Sequence, residues 1–259
     1  MRLKRSIPFS IMLPILLVTV VVTLVAAPVA SAQTADEVIA KYVAALGGKE
    51  KLQSIHSIYL EGVSVMQNGT EINTKTWKVQ DKLYRQEISF GAGNIVIFAT
   101  PKQGWSSRGG TTTPMAEDQL KGLQSQLDCA GPLVDYAAKG SKAELLGKDT
   151  VNGNTCWKIK LTMASGLYIT YSIDEKTYYI LRETRKGGGF GGRRGGAANG
   201  GGPAPDAEFN IDFGEYQKTP DGYIFPFTIL TGGVGAKTNI EKLEVNKPVD
   251  EAALSKPGK

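Results

Sequence analysis

The sequence predicts a mainly β protein of the α+β class, in which a long antiparallel sheet curls into a barrel or half-open barrel with helices at its mouth. Three observations carry this. From His56 onward the apolar residues recur at every second position instead of every third or fourth. About ten such runs follow one another, nearly all joined by tight turns, so neighbouring strands are antiparallel. A sheet with that many strands has to curl.

The elements follow in order. Thr34-Ala35-Asp36-Glu37 fits a capping box, and Val38, Ile39, Tyr42, Val43 and Leu46 recur at helical spacing. Gly47-Gly48 supplies the left-handed stop, and a short helical turn over Lys49–Ser54 follows. His56–Met66 alternates, Asn68-Gly69 reads as a hairpin, and Glu71–Gln80 returns with Trp77 and Val79 on one face. Asp81-Lys82 turns into Leu83–Phe90; Gly91–Asn94 punctuates; Ile95–Thr100 and a piece around Trp105 complete a meander. After Thr111–Pro114, Leu120, Leu123 and Leu127 share one helix face, and Pro132 opens a helical piece over Leu133–Ala138 that Gly140 ends. Strands resume at Ala143–Leu146, Thr155–Met163, Leu167–Ile173 and Tyr178–Arg185, with turns at Asn152-Gly153 and Asp174–Thr177. Glu208–Tyr216, Tyr223–Leu230 and Lys237–Val245 finish the sheet.

The address is read from the first residues. Arg2, Lys4 and Arg5 precede an apolar run over Ile11–Ala27, and Ala30-Ser31-Ala32 presents small residues for cleavage before Gln33. Residues 1–32 therefore read as an export signal and 33–259 as the mature, exported domain. The mature part has 227 of the 259 residues, enough for one sizeable core. Losing the three basic residues lowers the formal charge from +5 to +2, too little for a nucleic-acid-binding field. The tract 187–207 is dominated by glycine, holds Arg193 and Arg194, and lies between two strands. It reads as a disordered loop insert, since glycine at that density does not order itself cheaply. Export permits a disulfide between Cys129 and Cys156; two separately buried thiols fit the same residues.

Catalytic constellations are missing. The single histidine, His56, would have to carry any metal site or assisted nucleophile. There is no Gly-x-Ser-x-Gly elbow, His-Glu-x-x-His or phosphate loop in a strand–loop–helix setting. This excludes no reaction by itself, but it points to a binding protein without catalytic residues, metal or cofactor. Aromatic residues are spread over nearly every strand, and Tyr223/Phe225/Phe227 and Ile224/Pro226 make both phases of one strand apolar. That favours an apolar cavity on the concave side.

Several local sequences, in order, resemble the LolA/LolB superfamily of periplasmic lipoprotein carriers, especially the exported outer-membrane lipoprotein-sorting proteins of Gram-negative bacteria. They are Ala35–Tyr42 with Leu46-Gly47-Gly48; Gly131–Tyr136 with Lys139-Gly140; Glu144–Lys148, Val151-Asn152-Gly153 and Trp157–Leu161; Tyr171-Ser172-Ile173-Asp174 with Thr177-Tyr178; and Asp221–Pro226, Val245-Asn246 and Pro257. Leu254, where many relatives carry an aromatic residue, and the glycine tract depart from the pattern. The resemblance implies an unclosed, strongly curved antiparallel β-barrel of about ten or eleven strands, with an N-terminal helix and lid helices over a concave apolar face. It further implies a monomer that holds acyl chains of lipoproteins or other lipids, touches membranes peripherally and deals with inner- or outer-membrane transfer proteins. An envelope sensor or interaction module on the same fold is the alternative. The candidate ligand contacts are Leu60, Trp77, Val79, Tyr84, Ile88 and Phe98 on the sheet, and Leu120, Leu123, Leu127, Leu133 and Tyr136 on the lid.

Overall fold

The computed structural model describes residues 33–66, 69–186, 208–232 and 236–257. The expected export segment 1–32 and the glycine-rich loop 187–207 lie outside the described residues.

Two short helices lead: α1 (Ala35–Ala45) and α2 (Lys49–Gln53). The capping box forms as the sequence requires. Glu37 N–H donates to Thr34 Oγ1 at 3.2 Å, and Thr34 N–H to Glu37 Oε2 at 3.0 Å. Gly47 and Gly48, with φ of 109° and 94°, end the helix in a conformation that residues with a Cβ rarely adopt.

Six strands follow: β1 (Ser57–Val65), β2 (Glu71–Val79), β3 (Leu83–Phe90), β4 (Gly93–Ala99), β5 (Gly104–Arg108) and β6 (Thr111–Pro114). Helix α3 (Glu117–Leu123) runs into a 3-10 turn at Gln124–Leu127. Seven more strands are β7 (Lys142–Val151), β8 (Asn154–Thr162), β9 (Tyr168–Asp174), β10 (Ile180–Lys186), β11 (Glu208–Lys218), β12 (Ile224–Thr231) and β13 (Ala236–Val245), before a final turn of helix, α4 (Glu251–Leu254). All pair into one antiparallel sheet in the order β6-β5-β4-β3-β2-β1-β13-β12-β11-β10-β9-β8-β7. β6 and β7 are its two edges, so the barrel is not closed, and the pairing of β1 with β13 puts the first and last strands side by side at mid-sheet.

The structure corrects the sequence reading in two places. The sheet has thirteen strands, not ten or eleven, because Thr111–Pro114 pairs with β5 and the region around Trp105 is a strand of its own. Residues 132–140 form consecutive turns rather than a helix, with Asp135 at φ 51° breaking any helical run. Glu251–Leu254 forms α4, and Val249 and Leu254 cover part of the sheet.

Three irregularities shift the strand phase. The register slips between Glu61 and Gly62, between Leu145 and Gly147, and between Ile180 and Arg182. A bulge changes which residues face inward. Phe213 and Tyr216, three apart on either side of Glu215 with its φ of 52°, both pack on the main core. The Asp174–Thr177 turn is tied by its own carboxylate: Asp174 Oδ1 accepts from the N–H of Lys176 (3.0 Å) and Thr177 (2.7 Å) and from Thr177 Oγ1 (2.9 Å).

Candidate functional site

The cross-strand register fixes which residues face the concave side. Ile58, Lys78, Tyr84 and Ala99 lie directly opposite one another across β1 to β4. Tyr84 and Ala99 pack against Leu123 and Leu127, and Lys78 Nζ donates to Gln126 Oε1 in the 3-10 turn at 2.8 Å. This helix-covered face is therefore the inner one. By alternation it includes Leu60 and Ile88, and through β13 it continues to Leu243 and Val245.

Eight of the eleven residues read from the sequence meet on this side. Tyr84, Ile88, Leu120, Leu123 and Leu127 form one cluster; Leu60, Leu133 and Tyr136 belong to the adjoining main core under α1. Leu133 is buried, while Tyr136 uses its hydroxyl to donate to Asp36 of α1, which ties the 132–140 turns to the first helix. That hydrogen bond, with burial, pushes the phenol up to about 12.

Trp77, Val79 and Phe98 do not join them, which corrects the phase expected for β2 and β4. Val79 and Phe98 pack with Leu83, Trp105, Val249 and Leu254 in a separate cluster on the outer face. Trp77 sits against Tyr59 at 5.0 Å between ring centres, and Phe98 against Trp105 at 5.3 Å. Arg85 pins the C-terminal segment over them, donating from Nη1 to Leu254 O (2.6 Å) and Lys256 O (2.8 Å). A cavity of about 330 Å³ lies between this segment and the outer face of β1 and β2, lined by Tyr59, Trp77, Val249 and Leu254 among others.

The inward phase of β2 is Ile72, Thr74, Thr76 and Lys78, and the inward phase of β10 carries Glu183 opposite Tyr171 and Arg185 opposite Ile169. Ionic and phenolic groups thus stand inside the curled sheet, where an apolar lining was expected. Arg185 donates from Nε and Nη2 to Glu183 Oε2 at 3.0 and 2.6 Å. Tyr171 is 1 % exposed, and its hydroxyl has no hydrogen-bond partner among the described residues. Burial pushes the phenols of Tyr42, Tyr84 and Tyr171 well above their ordinary value. Burial pulls the Lys78 ammonium below its ordinary value; Arg185 adds to this, while Cys129, Glu183 and Asp128 oppose it.

The strand pairing sets how far Lys78 lies from Glu183 along the sheet. Five inter-strand steps separate β2 from β10, about 24 Å in a flat sheet. The paired row through Glu183 passes Ile211 and Thr231 and reaches β13 at Ala236, whereas the row through Lys78 reaches it at Val245. That is a further nine residues, roughly 30 Å, along the strand.

Along the rest of the inner face, Ile72, Ile88, Phe213, Ile229 and Ile240 are only partly buried. Gly62, opposite Ile240, keeps this floor clear; a Cβ there would come within 2.9 Å of Thr238 and 3.2 Å of Ile240.

Cys129 and Cys156 are unbridged and buried. Cys129 belongs to the inner core, while Cys156 takes the opposite phase of β8 from Trp157 and Ile159 and pairs with Asp149 and Asp174. Burial pushes both thiols up to about 11. Among the described residues no three of the His, Cys, Asp and Glu side chains gather as a metal would need, and His56 is exposed, its backbone N–H on Asn246 Oδ1 at 2.6 Å. No described helix is long and apolar enough to cross a membrane.

The sequence reasoning missed Lys78, Tyr171, Glu183 and Arg185. For β2 the signal was available: Val249 and Leu254 need an apolar surface to cover, and Trp77 and Val79 provide it only if Lys78 turns inward.

No family model and no curated protein matches the chain. Solved structures do. A LolA superfamily protein from Nitrosomonas europaea shares 9% identity at a TM-score of 0.53, covering 87% of this chain and 99% of that one. A DUF1329 family protein from Desulfovibrio piger shares 13% at 0.51, covering 86% and 100%. A Vibrio parahaemolyticus domain named as an outer membrane lipoprotein-sorting protein shares 13% at 0.48, covering 84% and 94%. The likeness establishes the fold: an open, curved antiparallel barrel with helices at its mouth, shared with the LolA superfamily structure.

Proposed function

We propose that this chain is an exported periplasmic carrier that takes acyl chains of lipoproteins or other lipids into the inner trough of its half-barrel. The observation that supports it most is the incompletely buried apolar stripe on the inner face. Leu60, Ile72, Ile88, Phe213, Ile229 and Ile240 line the inside of an unclosed sheet and stay partly accessible there. Apolar surface left uncovered in a concave place is the usual mark of a ligand seat. Each methylene that enters it contributes about 0.8 kcal/mol, so capture and release need no chemical step. The LolA superfamily fold and the export segment read from residues 1–32 fit a role in the envelope, and sorting of lipoproteins to the outer membrane is the role proposed within it.

The test is direct. The mature protein, isolated from the periplasm, is extracted and its lipids are identified by mass spectrometry; in parallel, an apolar dye is titrated and displaced with an acylated peptide. Co-purified acyl lipid and competitive displacement are expected. Absence of both, with the protein folded, rejects the carrier reading.

A further inference from the structure

The outer face carries a continuous cross-strand row. Glu244, Tyr59, Trp77 and Arg85 stand directly opposite one another across β13, β1, β2 and β3. The C-terminal segment crosses this face and is fixed at both ends. At its start Ser57 Oγ donates to Lys247 O at 2.9 Å; at its finish Arg85 Nη1 donates to Leu254 O and Lys256 O at 2.6 and 2.8 Å. Between them Lys82 Nζ meets Glu251 Oε1 at 2.7 Å, and Val249 and Leu254 pack on Val79, Leu83 and Phe98. Over Tyr59 and Trp77 the segment stands off, and the gap is the cavity of about 330 Å³.

The base of this cavity is aromatic: the Tyr59 and Trp77 rings lie 5.0 Å apart between centres, tilted by 36°, and both are only partly buried. Val249, Ala253 and Leu254 roof it. The polar groups at its border are already engaged. Ser57 donates to Lys247 O, the Tyr59 hydroxyl donates to Glu61, Glu244 Oε1 lies 3.3 Å from Lys242 Nζ, and Asp250 Oδ1 accepts the Ala253 N–H at 3.0 Å. Lys247 is exposed to water. A held water or ion needs open polar partners, whereas apolar space is filled by apolar surface. A flat ring meets an aromatic base well and has little conformational entropy to lose.

We propose that this cavity is a second binding site, separate from the trough, for a small neutral compound of one or two fused aromatic rings. Tyr59 and Trp77 alternate along their strands with Ile58 and Lys78 of the inner face, so the sheet itself stands between the two sites. The proposal is therefore independent of the carrier reading. The volume suits it: small-molecule pockets begin near this size, and an apolar cavity of about 150 Å³ already takes benzene.

Fluorine NMR of 5-fluoroindole on the mature protein tests this, beside 5-fluoroindole-3-acetate and 5-fluorotryptamine, which carry the same ring with an anionic or a cationic arm. 5-Fluoroindole is expected to bind with a Kd on the order of 0.1–1 mM, and both charged derivatives at least about fivefold more weakly. Trp77→Ala should weaken 5-fluoroindole by about fivefold or more, because the stacking base is lost. Leu254→Ala, which opens the roof, should weaken it too and carries the test if Trp77→Ala fails to fold. Leu127→Ala, on the inner face, should leave it within about twofold. Excess acylated peptide should displace the apolar dye but not 5-fluoroindole. Full affinity in the folded variant of the outer face, or displacement by the acylated peptide, overturns the outer site. A charged derivative that binds as tightly as 5-fluoroindole overturns the neutral class. No binding up to about 5 mM, by protein that still binds the dye, overturns the site while the carrier reading stands. Failure of dye and acylated peptide, with 5-fluoroindole bound, rejects the carrier reading and leaves this site in place.

Discussion

Arg185 reaches one oxygen of Glu183 with two donors, Nε at 3.0 Å and Nη2 at 2.6 Å, on the inner face of β10. The residues are two apart, so strand alternation points both the same way. Burial works against the guanidinium charge, and the Glu183 carboxylate more than offsets it and holds Arg185 above its ordinary value.

Glu183→Gln should therefore destabilise the protein by about 1–3 kcal/mol, since it leaves the arginine without its anion in a desolvated place. Glu183→Gln combined with Arg185→Met should recover part of that loss. Urea unfolding of the single and double variants checks both; an additive double variant would show that the pair is not coupled.

Tyr171→Phe should behave unlike most core truncations. The hydroxyl it removes is buried and makes no hydrogen bond. Removing an unsatisfied polar group is neutral or stabilising, by up to about 1–2 kcal/mol. A loss of more than about 1 kcal/mol in urea unfolding would mean that the hydroxyl has a partner in solution.

Leu254→Ala and Leu127→Ala should separate the two faces of the sheet. Leu254 covers Val79 and Phe98 on the outer face, and its truncation should cost roughly 1–2.5 kcal/mol, less than a full core site because the residue is only partly buried. Its effect on dye affinity should be nil. Leu127 is 4 % exposed and packs on Tyr84 inside; truncation there should cost about 2–5 kcal/mol and weaken ligand binding as well. Parallel unfolding and titration curves decide it, and equal effects on binding would place Phe98 and Val79 at the ligand after all.

The two thiols set an alkaline limit. Burial raises Cys129 and Cys156 from 9.0 to about 11. A folded-state value above the unfolded one means that the folded protein holds the protons longer, so this stability is fully present below pH 9 and is lost as pH rises through about 11. Tyr42, Tyr84 and Tyr171, all raised by burial, steepen the loss above pH 10. Cys156→Ala should decline less steeply over that range. A thiol reagent at pH 8 should leave the native protein untouched and titrate both cysteines after denaturation; none titrated in denaturant would mean a disulfide.

Local signals in the sequence were enough for the elements. The Thr34 capping box, the glycine stop at Gly47-Gly48, the turn at Asn152-Gly153 and the two-residue alternation each depend on a few neighbouring residues, and each appears where those residues put it. Antiparallel order followed from the short turns, and curl from the length of the sheet. The inward phase was legible for Leu60, Tyr84 and Ile88 and for the lid leucines, but not for Trp77, Val79 and Phe98. A strand with apolar residues on both phases does not say which one faces the helices; here the choice fell to Val249 and Leu254, remote in sequence, which give the outer phase something to pack against.

The sequence by itself determined that this chain makes a long antiparallel sheet with a capped helix before it and a helical lid within it, because those features are set by contacts a few residues apart. The tertiary structure alone decided that Lys78, Tyr171, Glu183 and Arg185 share one interior. They stand on three strands whose register rows diverge by nine residues along β13, and the face each presents depends on how the whole sheet pairs and coils. Coiling is the sum of many small twists and a few bulges, and no local stretch of sequence carries that sum.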